Sequence, residues 1–263
     1  MKTAVITGAG SGIGAALALV FARRGMRVVC ADLDERAAAD TARAIRVLGR
    51  EATSARADVT SASDVAALAT DDVDLWINNA GIAIGGATHE LSLEDWRRVV
   101  DVNLTGVIHG IHAIYPRMVR RGSGQIVNIA SVAGLAPYPL ALPYTTTKSA
   151  VVGMSLALRA EARTHGVRVS VACPGRIDTP IWQRSEVRGV LGGASARLLA
   201  RLPKAASAEA CAKTIAAGMA RDRAVIPVTF EAHAAWWLAR VSPWIANKLA
   251  QQIARSVVYA ATP

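Results

Sequence analysis

After a short β-rich run the chain reads Thr7-Gly8-Ala9-Gly10-Ser11-Gly12-Ile13-Gly14-Ala15 and then becomes helical in pattern. Glycines let a backbone turn sharply and approach a pyrophosphate, whose charge is attracted by the unpaired amides and dipole of the following helix. Gly8, Ser11, Gly12, Ile13 and Gly14 are therefore the expected phosphate contacts. Asp32 stands 20 positions after Gly12, at the end of the next β-rich run, where a carboxylate accepts hydrogen bonds from an adenosine ribose. That carboxylate would repel a 2′-phosphate, and the glycine loop has no Lys or Arg to offset it, so the pattern favours NAD over NADP. Asp58, followed by Val59, is expected beside the adenine. A plainer alternative for Asp32 is a helix cap or solvated turn residue, with Asp34 and Glu35 next to it. Farther on, Tyr144 and Lys148 stand four residues apart, which puts a phenol and an ammonium on one face of a helix.

These residues can act together only if the fold gathers them. Short β-rich runs at Thr3–Thr7, Arg27–Ala31, Glu51–Ala57, Leu75–Asn78, Gln125–Ala130, Arg168–Ala172 and Ala224–Val228 alternate with Ala-, Leu- and Arg-rich segments of helical length. Such alternation predicts βαβ units and a Rossmann-type, doubly wound parallel sheet of about seven strands flanked by helices. In such sheets ligands bind beyond the carboxyl ends of the strands. Asn78-Asn79-Ala80-Gly81, Ser131 and Pro174-Gly175 each fall just after a predicted strand. No repeat or linker divides the chain, so a single domain is expected. Within it, residues 1–229 would form the dinucleotide-binding and catalytic part, and residues 230–263 a helical, Trp-rich appendage.

In order and spacing, Gly8-x-x-x-Gly12-x-Gly14, Asn78-Asn79-Ala80-Gly81, Asn103 in Val102-Asn103-Leu104, Ser131, Tyr144-x-x-x-Lys148 and Pro174-Gly175 resemble the short-chain dehydrogenase/reductase family. The likeness runs from Lys2 to about Pro180. It implies hydride transfer between a carbinol and a nicotinamide, with Asn103, Ser131, Tyr144 and Lys148 as the catalytic residues. A phenol with an ordinary pKa of about 10 is protonated at neutral pH. The Lys148 ammonium, with the oxidised nicotinamide, would favour its anion and make Tyr144 a base. By the same resemblance Ser131 holds the substrate oxygen, Lys148 also grips the nicotinamide ribose, and Asn103 holds a water in a proton relay. Asn79, Ala80, Gly81, Pro174 and Gly175 line the cofactor, with Ile177 and Thr179 at the carboxamide. Taken singly, Tyr144 could be a buried aromatic, Ser131 a helix cap and Asn103 a turn residue.

The 263 residues carry 30 Lys+Arg against 20 Asp+Glu, a net charge of +10. The cations are scattered in small groups, two of which precede glycine at Arg24-Gly25 and Arg121-Gly122, as expected for helix C-termini. They therefore predict solvated helix ends and no nucleic-acid surface. Cys30, Cys173 and Cys211 are widely spaced and odd in number, which fits a reducing cytoplasm and neither a disulfide framework nor a zinc site. The five histidines lack metal-ligand spacing, so no metal is expected. The start of the chain lacks the pattern of a signal peptide.

Pro227 suits an edge strand. Arg176, where the resemblance leads one to expect an apolar residue, puts a cation near the cofactor or substrate entrance. Pocket walls are expected from residues 82–88 and 132–143, with a lid over about 181–206; Leu135, Tyr138, Leu140, Leu142 and Trp182 make the pocket apolar. The tail holds Trp236, Trp237, Arg240, Trp244, Lys248 and Arg255. It resembles the tails of family members acting on steroids, retinoids or other apolar alcohols. Three placements stay open for it: on a membrane surface as a peripheral contact, over a pocket for a lipophilic substrate, or against the domain or a partner subunit. The leading function is an NAD-dependent oxidoreductase interconverting a secondary alcohol and a ketone on a lipophilic small molecule, assembled as a homodimer or homotetramer. An NADPH-dependent carbonyl reductase and a non-catalytic dinucleotide-sensing regulator are the alternatives.

Overall fold

The computed structural model describes residues 1–181, 185–189 and 205–261, with side chains described to Val257. Seven strands build the central sheet: β1 (Thr3–Thr7), β2 (Arg27–Asp32), β3 (Ala52–Arg56), β4 (Val73–Asn78), β5 (Gly124–Ile129), β6 (Val167–Cys173) and β7 (Val225–Pro227). Every pairing is parallel, in the order β7-β6-β5-β4-β1-β2-β3. The order reverses between β1 and β4, the switch point where a ligand crevice opens.

Helices cover both faces, which is why the inner strands β1, β4, β5 and β6 are almost wholly buried and do not alternate. Ile6 and Ile77 point into one core with Leu17 of α1 (Gly12–Arg23), Ile45 of α2 (Glu35–Val47) and Ile215 of α7 (Ala208–Ala220). Their neighbours Val5 and Trp76 point into the other. There they meet Val65 of α3 (Ala62–Leu68), Ile114 and Met118 of α5 (Gly106–Arg121), and Leu158 of α6 (Leu142–Arg163). A further helix, α4 (Leu93–Val100), runs into α5 through the π-helical turn Asp101–Thr105. After β7 come α8 (Phe230–Val241) and α9 (Pro243–Ala261), which pack on each other.

Of the scattered cations, Arg23 stands in the last turn of α1 and Arg120 and Arg121 in that of α5. Gly122 closes α5 at φ +69°, and Arg121 donates from Nη2 to the carbonyl of Val73 at 2.6 Å. Pro227 lies on the edge strand, paired on one side with β6. Among the described residues no helix is long and apolar enough to cross a membrane.

Candidate active site

The glycine loop leaves β1 and enters α1 at the switch point. Gly12 sits at φ +55°, a left-handed conformation that L side chains rarely adopt. A β carbon there would also come within 3.1 Å of Thr179, so the loop after β6 closes on the glycine loop. Ser11 precedes the helix without a side-chain cap, leaving the first-turn amides to an incoming anion. Asp32 projects from the end of β2 against the loop: Gly10 N donates to its Oδ2 at 2.8 Å and Asp34 N to its Oδ1 at 3.0 Å. The cap of α2 is Asp34, whose carboxylate accepts the amide of Ala37. Asp32 is therefore not the cap. Ala57 N donates to the Asp32 carbonyl at 2.9 Å, which brings Asp58 and Val59 alongside. A crevice with an uncapped helix start, close glycine backbone and a pinned carboxylate fits a nicotinamide dinucleotide.

Asn79 and Ala80 close this crevice from β4. The Thr7 hydroxyl accepts the amides of Asn79 (3.0 Å) and Ala80 (3.2 Å), and Asn79 Nδ2 donates to the carbonyls of Thr7 and Gly8. Asn79 thus staples the two strand ends. Asn78 is a buried structural residue, accepting from Trp76 Nε1 and donating to Asn128, which in turn donates to Ser155. Thr7 was missed by sequence reasoning; a hydroxyl residue at the last strand position before the glycines is the signal that identifies it.

At the end of β5, Ser131 caps the short turn Val132–Gly134 by accepting the amide of Ala133 at 3.2 Å. Its hydroxyl lies beside the phenol of Tyr144, in the first turn of α6, near enough to favour the phenolate. Burial, opposed only in part by Ser131, which favours the anion, pushes that phenol up to about 12. One turn on, Lys148 is buried, donates from Nζ to the carbonyl of Ile129 at 2.9 Å and sits 5.6 Å from the centre of the Tyr144 ring. Burial lowers its pKa to about 8. Asn103, in the π-helical turn, accepts the amide of Ile82 at 2.8 Å and donates to its carbonyl at 2.9 Å. Gly81 lies between: a β carbon on it would be 3.1 Å from Asn103 Oδ1 and 3.5 Å from Lys148 Nζ. Asn103, Ser131, Tyr144 and Lys148 thus gather at the carboxyl ends of β4 and β5.

The loop after β6 carries Pro174, Gly175, Ile177 and Thr179. The Pro174 carbonyl accepts the amide of Val132, tying the loop to the Ser131 turn. Its other anchor was not foreseen: Glu231, in the first turn of α8, accepts the amide of Arg176 at 3.0 Å. Arg176 also bears on the substrate side, where its charge opposes the upward push of burial on the Tyr138 phenol. Of the residues expected to wall the pocket, Ile84 is buried, and Tyr138 and Leu142 are 40% and 38% exposed. Leu140 holds φ +64° and its carbonyl accepts the amide of Gly86. Residues 182–184 and 190–204, which hold Trp182 and most of the expected lid, lie outside the described residues. The short strands Ile84–Gly85 and Glu186–Val187 pair in parallel, with Arg188 ion-paired to Asp95 at 2.6 Å.

The short chain dehydrogenase family model matches residues 2–188. Among curated proteins, 3beta-hydroxysteroid dehydrogenase 1 of Eggerthella lenta is 39% identical over 188 residues, 68% of this chain and 72% of that one. Among solved structures, a short chain dehydrogenase/reductase of Burkholderia phymatum in complex with NAD superposes with a TM-score of 0.84 at 35% identity, covering 93% of this chain and 94% of the other. A short-chain dehydrogenase of Sphingobium yanoikuyae in complex with NADPH gives 0.79 at 30% identity, covering 97% and 96%.

Proposed function

The chain belongs to the short chain dehydrogenase family and is an NAD(P)-dependent oxidoreductase of CH–OH donors; from that premise we propose that it interconverts a secondary alcohol and a ketone on a lipophilic small molecule, with NAD as preferred cofactor. The observation that carries this is the meeting of the Tyr144 phenol with the Ser131 hydroxyl and the Lys148 ammonium at the end of β5. When bound, the dinucleotide takes up the carbinol hydride or returns it to the ketone.

The chain's own groups handle the proton and the orientation. In oxidation the Tyr144 phenolate takes the hydroxyl proton while the carbinol C–H bond breaks with its electron pair and the C=O bond forms; in reduction the phenol gives that proton back. Ser131 would donate its one O–H to the substrate oxygen; before substrate enters, the same hydroxyl beside Tyr144 favours the phenolate. Lys148 adds a positive charge beside the ring and would also hold the nicotinamide ribose. Asn103 fixes the backbone at Ile82 beside them and would hold a water in the proton relay. Gly8, Ser11, Gly12, Ile13 and Gly14 would hold the pyrophosphate, Asp32 the adenosine ribose, and Asp58 with Val59 the adenine. Asn79, Ala80, Gly81, Pro174, Gly175, Ile177 and Thr179 would line the nicotinamide half. Asp32 supports NAD because its pinned carboxylate would repel a 2′-phosphate. The apolar walls and the similarity to a hydroxysteroid dehydrogenase support a lipophilic substrate. Assembly as a homodimer or homotetramer belongs to the same proposal.

The test is a screen of apolar secondary alcohols with NAD and with NADP, followed by the near-ultraviolet absorbance of the reduced nicotinamide. Turnover with NAD well above that with NADP is expected, and Tyr144→Phe should abolish it while dinucleotide binding persists. Comparable rates with both cofactors would overturn the NAD assignment; retained turnover in Tyr144→Phe would overturn the mechanism.

A further inference from the structure

A surface helix ordinarily turns its apolar stripe inward and its polar face to water. In α8 the reverse holds along one ridge. Phe230, Trp237 and Val241, at i, i+7 and i+11, line up on the helix and are 87%, 62% and 76% exposed, whereas Ala232, on the opposite side, is buried. In α9, which packs on α8, Trp244, Ile245, Leu249 and Ile253 are exposed as well. Together they leave a run of large apolar side chains outside the fold, in a protein whose catalytic crevice lies elsewhere.

Cations border this ridge. The Arg240 guanidinium stacks over the Trp236 ring at 4.7 Å, and the Lys248 ammonium over the Trp244 ring at 4.1 Å. From Thr229 onward the sole acidic residue is Glu231, and its carboxylate is engaged with the amide of Arg176. Beside the ridge, on the next stripe of α8, His233, Trp236 and Arg240 line a cavity of about 500 Å³ together with Arg223 and apolar Leu156 and Val225. Its polar lining is made largely of donors: two guanidinium groups without an acid partner among the described residues, and the buried Trp236 Nε1–H without an acceptor. A site of that kind suits an anionic oxygen group.

We infer that the α8–α9 hairpin is a docking surface for an anionic phospholipid bilayer, its apolar ridge entering the headgroup boundary and the Arg223–Arg240 cavity seating a lipid phosphate. Tryptophans beside cations belong at such a boundary, where rings lie at headgroup depth and cations meet lipid phosphates. A second copy of the chain is the weaker occupant, because a two-fold contact through the ridge would bring Arg240 and Lys248 toward their own images. Each cation brought to an anionic surface strengthens binding about five-fold.

The test is co-sedimentation of the full chain with phosphatidylcholine vesicles and with mixed phosphatidylcholine–phosphatidylglycerol vesicles. Binding to the mixed vesicles is expected to be about a hundred-fold tighter than to phosphatidylcholine alone. Trp237→Ser with Val241→Ser should weaken it about ten-fold with circular dichroism and alcohol oxidation in solution unchanged. Arg223→Glu with Arg240→Glu should remove the preference for phosphatidylglycerol. Absence of pelleting, equal pelleting on both compositions, or intact pelleting of the ridge variant would each overturn the inference. So would a fall in oligomeric mass in the ridge variant without loss of pelleting, which would assign the ridge to a second copy. Sedimentation does not depend on turnover, so failure here leaves the oxidoreductase reading standing, and the reverse also holds.

Discussion

Lys148 is a buried ammonium that donates to the carbonyl of Ile129, and burial lowers its pKa from 10.5 to about 8. Folding therefore disfavours its charged form, while the proposed chemistry uses that charge beside Tyr144. Lys148→Met should make the opposition visible. The variant is expected to be more stable by roughly 2 kcal/mol at neutral pH, and its alcohol oxidation to fall on the order of a thousandfold. The sign follows from linkage: the penalty is fully present below about pH 8 and fades as pH rises toward the unfolded value of 10.5. The gain in melting temperature should accordingly shrink over that range. Tyr144, pushed up to about 12 by burial, would also lose its neighbouring cation, so the rising limb of the oxidation pH profile should move to higher pH. An unchanged profile in a variant that still binds NAD would remove Lys148 from the control of the phenol.

Among the elements, those with strong local signals were legible before any coordinates. All seven strands overlap the β-rich runs of the sequence; the inner ones are apolar because a sheet covered on both faces buries them, whereas the edge strand β3, Ala-Thr-Ser-Ala-Arg, is largely exposed. The expected Leu75–Asn78 begins two residues earlier, at Val73, where Asp74 breaks the run but accepts the amide of Thr3 at 2.8 Å. The residues after the strands could be placed because the topology sends them to one crevice. What could not be read were contacts between distant segments whose local sequence is unremarkable: the π-helical turn that aims Asn103 at Ile82, the pairing of Ile84–Gly85 with Glu186–Val187, and the hold of Glu231 on the loop after β6. That last contact explains Gly175. A β carbon there would lie 2.1 Å from Thr229 Oγ1 and 2.6 Å from Glu231 Oε1, so α8 and the loop can close only over a glycine. Gly175→Ala should force them apart, weakening dinucleotide binding about tenfold and destabilising the fold by about 2 kcal/mol. Titration with the reduced dinucleotide and a thermal melt measure the two effects; unchanged affinity would mean that the α8 contact does not position the loop.

For the whole molecule, the net charge of +10 makes carboxylates the scarce partner, and the fold uses some of them to join distant elements. Asp222, at φ +50° in the turn before β7, accepts from Arg159 and Arg163 of α6. Asp95, buried at the start of α4, closes a capping box with Ser92 and pairs with Arg188 across 93 positions of sequence. The Arg188 hydrogen bond holds the Asp95 carboxyl at about 2, and that of Arg159 lowers Asp222 as well. Carboxyls with folded pKa values below their unfolded values stabilise the fold above the unfolded pKa, and that contribution is lost as pH falls through the folded one. Acid therefore acts twice, protonating these links and driving the net charge toward the full complement of 30 Lys+Arg and five His, whose mutual repulsion opposes a compact state. The melting temperature should be nearly level from neutrality to about pH 5, then fall steeply below about pH 4. Asp95→Ala should lose about 2 kcal/mol at neutral pH, from the capping box and the Arg188 pair together. Because the variant lacks one group that titrates in that window, its loss of stability between about pH 4 and pH 2 should be shallower, and the two curves should converge near the bottom of it. Parallel curves across that range would show that the Asp95 carboxylate does not link Arg188 to acid stability.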